Sequence, residues 1–151
     1  MNIVLKKTEI AKDVFEFIIR TPYVAQKCQE GQFVVIHADE KAERLPFAIA
    51  DFDRVAGTIT LIIQNVGKST AHLCNDFEDG DSILDLAGPL GQPAKVKNYG
   101  KVILVSSGSA VGAVYALAKK FKKLGSNEEK FESALKLLIK NESLIIESPP
   151  A

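Results

Sequence analysis

Six short segments rich in Val, Ile or Phe occupy most of the first ninety residues, and polar or glycine-containing turns separate them. Runs of about four to eight such residues between turn signals are typical of β-strands. Many short strands of this kind, interrupted by one small helix, predict a mainly β fold: a six-stranded antiparallel Greek-key barrel. The predicted strands are residues 3–8, 14–20, 33–38, 46–52, 58–64 and 83–86, and the predicted helix is 69–77.

The sequence pattern changes after the last of these strands. The run 101–105 is apolar after its lysine, which is typical of a strand covered on both faces. Apolar residues then recur at helical spacing from Val111 to Leu124, with lysines between them and toward the end. This region therefore predicts a strand followed by a helix.

The last quarter of the chain adds a second predicted helix. Ser126 and Glu129 have the spacing of a capping box at a helix start, and residues 144–146 are a candidate further strand. We therefore expect two domains: a β-barrel over 1–97, and a truncated α/β remnant with one strand and two helices over 98–151.

Composition narrows the range of functions. Nineteen basic and nineteen acidic residues give a net charge of zero, so no overall field favours nucleic acid or an anionic membrane. No apolar run approaches about 20 residues, which predicts neither export nor a membrane span. Cys28 and Cys74 lack the spacing of a metal or iron–sulfur site. We expect reduced thiols in a cytoplasmic protein, with one buried disulfide as the alternative.

Two segments carry candidate binding chemistry. Arg44 stands two residues before Pro46 at the start of a predicted strand, and the turn Gly67–Thr70 opens the predicted short helix. A guanidinium can hold two phosphate oxygens, and a helix N-terminus offers N–H groups to an anion. If the segments lie side by side, they form a cationic edge beside an apolar strip, which suits an anionic cofactor with a flat ring.

Simpler interpretations exist for both segments. Arg44 could form a surface salt bridge with Glu40 or Glu43, and Gly67–Thr70 could be an ordinary turn with a helix cap. A nucleoside-triphosphate loop is disfavoured, because Ile62 stands where that motif requires its earlier glycine.

Other polar residues give no catalytic constellation. His37 and His72 have no companion ligands nearby in the sequence, so we expect each to be exposed or to have its hydrogen bonds satisfied. Asp51 and Asp53 flank a predicted hairpin turn and are interpreted as turn formers. Catalytic residues and metal ligands are therefore not assigned.

The ordered motifs RLPFAIAD (44–51), QNVGKST (64–70) and GPLG (88–91), followed by strand, small loop and helix, resemble the ferredoxin-NADP reductase-like flavoproteins. The resemblance covers about residues 1–124. It is strongest to the small electron-transfer subunits of NADH-dependent ferredoxin:NADP oxidoreductase, sulfide dehydrogenase and dihydroorotate dehydrogenase. In that family the barrel binds FAD and the following α/β domain binds a nicotinamide nucleotide.

The resemblance implies roles for eleven residues. Arg44 would pair with the FAD pyrophosphate, and the Gly67–Thr70 turn would offer amides and hydroxyls to the same group. The remaining residues would border the isoalloxazine ring or the ribityl and adenosine portions. The implied cofactor-binding residues are Arg44, Pro46, Phe47, Ala48, Ile49, Ile63, Gln64, Gly67, Lys68, Ser69 and Thr70.

The chain departs from the family pattern in several places. Ala48 stands where relatives have a hydroxyl residue near the flavin. The nucleotide-binding turn, a triple glycine and a spaced fourth in relatives, is here residues 106–110, with Gly108 as its one remaining glycine. About 50 residues follow the predicted barrel in this sequence and none of them is a cysteine, so we do not expect the iron–sulfur cluster that a cysteine-rich tail holds in the nearest relatives.

These features predict a flavin-binding electron-transfer module or subunit of an oxidoreductase. FAD is expected as cofactor, while NAD(P)H use by the isolated chain and an iron–sulfur cluster are disfavoured. A protein partner or a second copy is expected to cover 98–151, unless that region packs back on the barrel. The alternatives are a structural or interaction subunit that retains the barrel without cofactor or catalysis, and a degenerate gene product.

Overall fold

The computed structural model describes residues 2–97, 103–106, 108–124 and 146–147. Strands dominate its first ninety residues. These strands are β1 (Asn2–Ala11), β2 (Val14–Arg20), β3 (Phe33–His37), β4 (Arg44–Ala48), β5 (Asp51–Asp53), β6 (Thr58–Gln64), β7 (Ser82–Ile83) and β8 (Asp85–Leu90), and the helices are α1 (Pro22–Lys27) and α2 (Lys68–Asp76).

The strands form two antiparallel sheets, which together make the two-sheet body (residues 2–90). One sheet has the order β5-β6-β2-β1-β7 and the other the order β4-β3-β8. The mainly β prediction is confirmed. A single closed six-stranded barrel is not what the described residues show, because their strands pair within two separate sheets.

The predicted strand 46–52 is where this difference arises. The chain passes from one sheet to the other between Ile49 and Ala50. The Ile49 N–H donates to the carbonyl of Gln32 at 3.0 Å, beside β3, whereas the Ala50 N–H donates to the carbonyl of Thr60 at 2.9 Å, on β6. The apolar pattern runs unbroken through this crossing, so the sequence alone merges two strands into one.

The core lies between the sheets. Side chains alternate along a strand, so every second residue of β6 turns inward, and Ile59, Leu61 and Ile63 are each at most 1% exposed. Phe17 of β2 and Ile36 of β3 are buried in the same cluster. Removal of this apolar surface from water is the main stabilising term for the body.

Helix α1 was not predicted from the sequence. Thr21 precedes Pro22 at the first helical turn, and the helix buries Val24 and Ala25 against the core. Proline suits the first turn because its missing N–H would have no partner within the helix there. The Thr-Pro pair is the signal that could have identified this helix.

The remaining described elements follow the body. They are β9 (Ile103–Leu104), a short 3-10 helix (Gly108–Ala110), α3 (Val111–Lys123) and β10 (Ile146–Glu147).

β9 pairs with β10 in antiparallel fashion, so the strand predicted at 101–105 has a partner within its own chain. Helix α3 packs on the body at Gly112, where a Cβ atom would lie 3.3 Å from the Ile62 Cβ. The helix predicted to start at Ser126 lies outside the described residues, and the boundary near 97 stays a prediction. No helix in the described ranges is long and apolar enough to cross a membrane.

Candidate functional site

The two segments singled out from the sequence lie next to each other. The Ser69 hydroxyl, in the first turn of α2, donates to Glu43 Oε2 at 2.5 Å, and Glu43 immediately precedes Arg44. One turn further along α2, His72 Nε2 lies 2.5 Å from Asp39 Oδ2. Both contacts join α2 to the β3–β4 loop, residues 38–43, so the start of β4 and the start of α2 border one surface.

Arg44 forms an ion pair, although not with the glutamates that its sequence neighbourhood suggested. Its Nη1 donates to Asp85 Oδ2 at 2.7 Å, and the two side chains are 55% and 50% exposed. The register places Arg44 opposite His37, and His37 opposite Asp85, in one row across the three-stranded sheet. The hydrogen bond from Arg44 lowers the pKa of Asp85, so the carboxylate stays charged at neutral pH.

Apolar side chains continue this face of the sheet beyond the charged row. Val35 pairs with Pro46 on one side and with Ala87 on the other, and Phe33 pairs with Ala48. All five are exposed or half-buried, because alternation turns the other residues of these strands toward the core. Because Arg44 is paired with Asp85, this row carries charges of both signs beside the apolar strip, and a cationic edge at this site stays a prediction.

The start of α2 carries its own local cap. The Thr70 hydroxyl oxygen accepts the N–H groups of Val66 and Gly67, each at 3.0 Å. The first N–H groups of any α-helix have no acceptor within the helix, so the amides of Lys68 and Ser69 belong to a positive helix end. Gly67 has an extended backbone, φ −157°, and a Cβ there would meet nothing within 4 Å. The fold itself therefore does not require glycine at this position.

Three of the predicted cofactor-binding residues direct their side chains elsewhere. Ile49 and Ile63 are each 1% exposed and belong to the core, and Phe47 packs against the same cluster. Along β4, Arg44 and Ala48 lie on the outer face while Phe47 lies on the inner one. Ile49 and Ile63 can therefore meet a ligand through their backbones alone.

The remaining predicted residues lie at or beside this surface. Gln64 ends β6 opposite Val14 and leads directly into the loop before α2. Lys68 is exposed on the first turn of α2. The roles that the resemblance implies for these residues stay predictions.

His72 has hydrogen-bond partners on both ring nitrogens, which confirms the expectation of a satisfied histidine, although the partners themselves were not predicted. Its Nδ1 lies 2.6 Å from Asp76 Oδ2, while Nε2 contacts Asp39, so the ring stands between two carboxylates. Hydrogen bonds to Asp39 first and Asp76 second raise the pKa of His72, and His72 in turn lowers the pKa of Asp39. Asp76 is four residues away on a predicted helix and could have been foreseen, whereas Asp39 depends on the tertiary fold.

The two aspartates of the β5 hairpin have different roles. Asp53 Oδ1 accepts the N–H groups of Val55 and Ala56 at 2.8 and 2.9 Å, which confirms it as a turn former. Asp51 instead accepts hydrogen bonds from Lys119 Nζ on both oxygens, at 2.8 and 2.7 Å. Asp51 therefore ties α3 to the body.

A cavity of about 410 Å³ lies beside this ion pair, away from Arg44 and the start of α2. Four basic and three acidic residues share its lining. Lys119 pairs with Asp51, and Lys120 lies 3.5 Å from Glu30, so charges of both signs meet across the cavity. This mixed lining suits the docking of α3 better than the binding of a pyrophosphate.

The predicted nucleotide turn is described in part. Gly108 has a left-handed backbone, φ 55°, at the start of the 3-10 helix. Ser106 is 8% exposed, and its hydroxyl has no hydrogen-bond partner among the described residues. Nicotinamide binding at this turn stays disfavoured by the sequence.

Comparisons with known proteins agree with the fold. No protein-family model matches the chain. Over 127 residues it is 42% identical to the dihydroorotate dehydrogenase B (NAD(+)) electron transfer subunit homolog of Thermotoga maritima, covering 84% of this chain and 45% of that protein. It is 34% identical to the electron transfer subunit of dihydroorotate dehydrogenase B from Fusobacterium nucleatum, covering 80% of this chain and 48% of the relative.

The comparison with solved structures supports the same fold. The structure of an NADH-dependent reduced ferredoxin-NADP oxidoreductase, studied for flavin-based electron bifurcation, matches with a TM-score of 0.80 at 42% identity. The match covers 84% of this chain and 46% of that one. A ferredoxin reductase of carbazole 1,9a-dioxygenase matches with a TM-score of 0.73 at 20% identity over 83% of this chain and 39% of the other, and it supports the fold alone.

The fold and these comparisons together define a ferredoxin-reductase-like protein. The chain belongs to the ferredoxin-reductase-like family and, within it, is similar to the electron-transfer subunits of dihydroorotate dehydrogenase B and of the NADH-dependent ferredoxin-NADP oxidoreductase. The resemblance stated from its motifs is thereby confirmed. The chain spans about half the length of these relatives.

Proposed function

We propose that this chain is an FAD-binding electron-transfer module of an oxidoreductase complex. The observation that carries the proposal is the contact between Ser69 and Glu43, which joins the start of α2 to the residue before Arg44. Two groups suited to a pyrophosphate therefore border one surface. The similarity to electron-transfer subunits supports the same function.

The pyrophosphate would lie between Arg44 and the first turn of α2. The described contact of Arg44 with Asp85 uses Nη1, and a guanidinium has further N–H donors in the same plane. The backbone amides at the start of α2 add donors and the positive end of a helix dipole. The absence of a side chain at Gly67 allows a ligand to approach the backbone closely.

The isoalloxazine ring would lie against the apolar strip. Pro46 and Ala48 of β4, with Val35 of β3, offer a flat surface without charge next to Arg44. FAD supplies the redox chemistry, and the chain supplies binding, orientation and electrostatics. Ala48 can offer the flavin its backbone but no side-chain hydroxyl.

The electron donor and acceptor would belong to other chains or domains. The relatives from Thermotoga maritima and Fusobacterium nucleatum carry the name electron transfer subunit, which supports a protein partner. Ser106 and Ala110 place side chains in the predicted nucleotide turn, so we propose that these residues do not by themselves support reduction of the flavin by NAD(P)H.

FAD reconstitution tests the proposal. Purified protein incubated with FAD and then desalted should be yellow, with an absorbance band near ~450 nm. Replacement Arg44→Ala removes charge-assisted hydrogen bonds and should weaken FAD binding roughly ten- to a hundredfold. Arg20→Ala, which alters an exposed arginine at the end of β2, is the matched control and should bind like the wild type.

Other outcomes would count against the proposal. A colourless protein that ignores FAD, with Arg44→Ala changing nothing, favours the structural or interaction subunit. Reduction of bound flavin by NADH in the isolated chain would contradict the claim about the nucleotide turn while leaving the FAD site intact.

A further inference from the structure

The ring of His72, in α2, contacts two carboxylates that belong to different elements of the fold. Asp76 is one turn along the same helix, 2.6 Å from Nδ1, and Asp39 lies in the β3–β4 loop, 2.5 Å from Nε2. The edge of the Phe77 ring packs nearby, with centroids 5.6 Å apart, and adds no charge. The charged groups facing the imidazole are therefore Asp39 from the loop and Asp76 from its own helix.

The two contacts of His72 require a proton on each ring nitrogen. An imidazolium donates from both nitrogens, whereas a neutral imidazole has one N–H and one lone pair. Both partners are aspartate carboxylates, and an ionised carboxylate can only accept hydrogen bonds. Loss of the second proton sets a lone pair against an anionic oxygen and must break or lengthen one of the two contacts.

We propose that His72 is a positioning residue for the proposed dinucleotide site. Its imidazolium holds α2 against the β3–β4 loop, and FAD affinity therefore falls at alkaline pH, where the imidazolium loses a proton. The inference rests on the proposed function, because Arg44 follows that loop and Ser69 lies in the first turn of that helix. Weakening this contact leaves the Ser69–Glu43 hydrogen bond to hold α2 against the loop. The two candidate phosphate-binding segments are then positioned less firmly, which lowers their joint affinity for one pyrophosphate.

The direction of the pH effect follows from the two shifted groups. The pKa of His72 lies above its ordinary 6.5, so the imidazolium contact is complete below that pH and is lost as pH rises through the raised pKa. The pKa of Asp39 lies below its ordinary 3.8, so its carboxylate is lost only in stronger acid. FAD affinity should therefore be highest in mildly acidic solution.

FAD titrations at pH 6 and pH 9 test the inference on the full chain. The wild-type Kd should rise about fivefold between the two, a typical coupling between sites. His72→Gln cannot titrate and should give a pH-independent Kd, while Asp76→Asn keeps the inter-element contact and should bind FAD at pH 6 like the wild type. A wild-type Kd that is equal at both pH values, or a rise that persists in His72→Gln, overturns the inference.

A second readout needs no FAD. In an NMR pH titration, the backbone amide signals of Glu43 and Ser69 should shift with the same midpoint as the His72 ring. Ring titration without these amide shifts overturns the inference. If the amides follow the ring but FAD binds at neither pH, the positioning contact stands and the proposed function fails.

Discussion

Gly67 and Gly88 show two different uses of a missing side chain. A Cβ at Gly88 would lie 2.7 Å from Cγ1 of Val34, a fully buried core residue, so the packing of β8 on β3 requires glycine. At Gly67 the backbone is extended and the surrounding space is open. The first glycine serves the fold, while the second leaves room at the start of α2.

Alanine substitutions should separate these uses. Gly88→Ala forces Val34 to shift and should lower the free energy of unfolding by about 1–3 kcal/mol in urea denaturation. Gly67→Ala should lower it by no more than about 1 kcal/mol, the scale of a helix-cap effect, yet weaken FAD binding. Equal stability losses, with unchanged FAD affinity in Gly67→Ala, would contradict this distinction.

A second prediction about individual residues concerns the reactivity of the two cysteines. Both are free and buried, and burial raises the pKa of Cys28 and of Cys74 to about 11. At pH 8 roughly one thiol in a thousand is then ionised, which should make alkylation by iodoacetamide slow in the native protein and fast in denaturant. Rapid native labelling of either residue, located by mass spectrometry, would show that the core is more open than described.

At the scale of elements, α3 is joined to the body by a close approach and, among the described residues, by the ion pairs Lys119–Asp51 and Lys120–Glu30. Gly112 brings the helix against Ile62 of β6, and Lys119 holds Asp51 beside it. Since the Lys119 and Asp51 side chains are 37% and 30% exposed, water screens this pair and it adds little. The close approach should therefore dominate.

A larger residue at the contact should release the helix. Gly112→Leu cannot fit against Ile62, so hydrogen exchange in α3 should accelerate about tenfold or more while β2 and β6 stay protected. Ala113→Leu adds the same side chain one residue later at an exposed position and is the control. Unchanged exchange in Gly112→Leu would mean that the helix is held by something else.

Element predictions succeeded where local pattern and burial coincide. The alternation of β6 identifies its inner residues directly. Residues 46–52 were wrongly predicted as one strand, because the apolar pattern continues across the change of sheet between Ile49 and Ala50. Helix α1 carried a Thr-Pro signal, but its length of six residues leaves little helical periodicity to recognise.

At the scale of the whole molecule, the sequence could identify the candidate binding segments but not the residues that contact them. Arg44 and Gly67–Thr70 follow from local chemistry and family resemblance. Asp85 reaches Arg44 because the register of three strands aligns them, and Asp39 reaches His72 because a loop folds over a helix. Contacts between residues so far apart in the sequence depend on the tertiary structure, and local sequence patterns do not predict them.

We propose that Arg44 and the start of α2 together bind one dinucleotide. NMR chemical-shift mapping of the backbone amides on addition of FAD, recorded below neutral pH, tests this most directly. The amides of Arg44–Ala48 and Gly67–Thr70 should shift together, Pro46 excepted, and saturate at one FAD per chain. Shifts confined to one segment, or centred on the cavity beside α3, would contradict it.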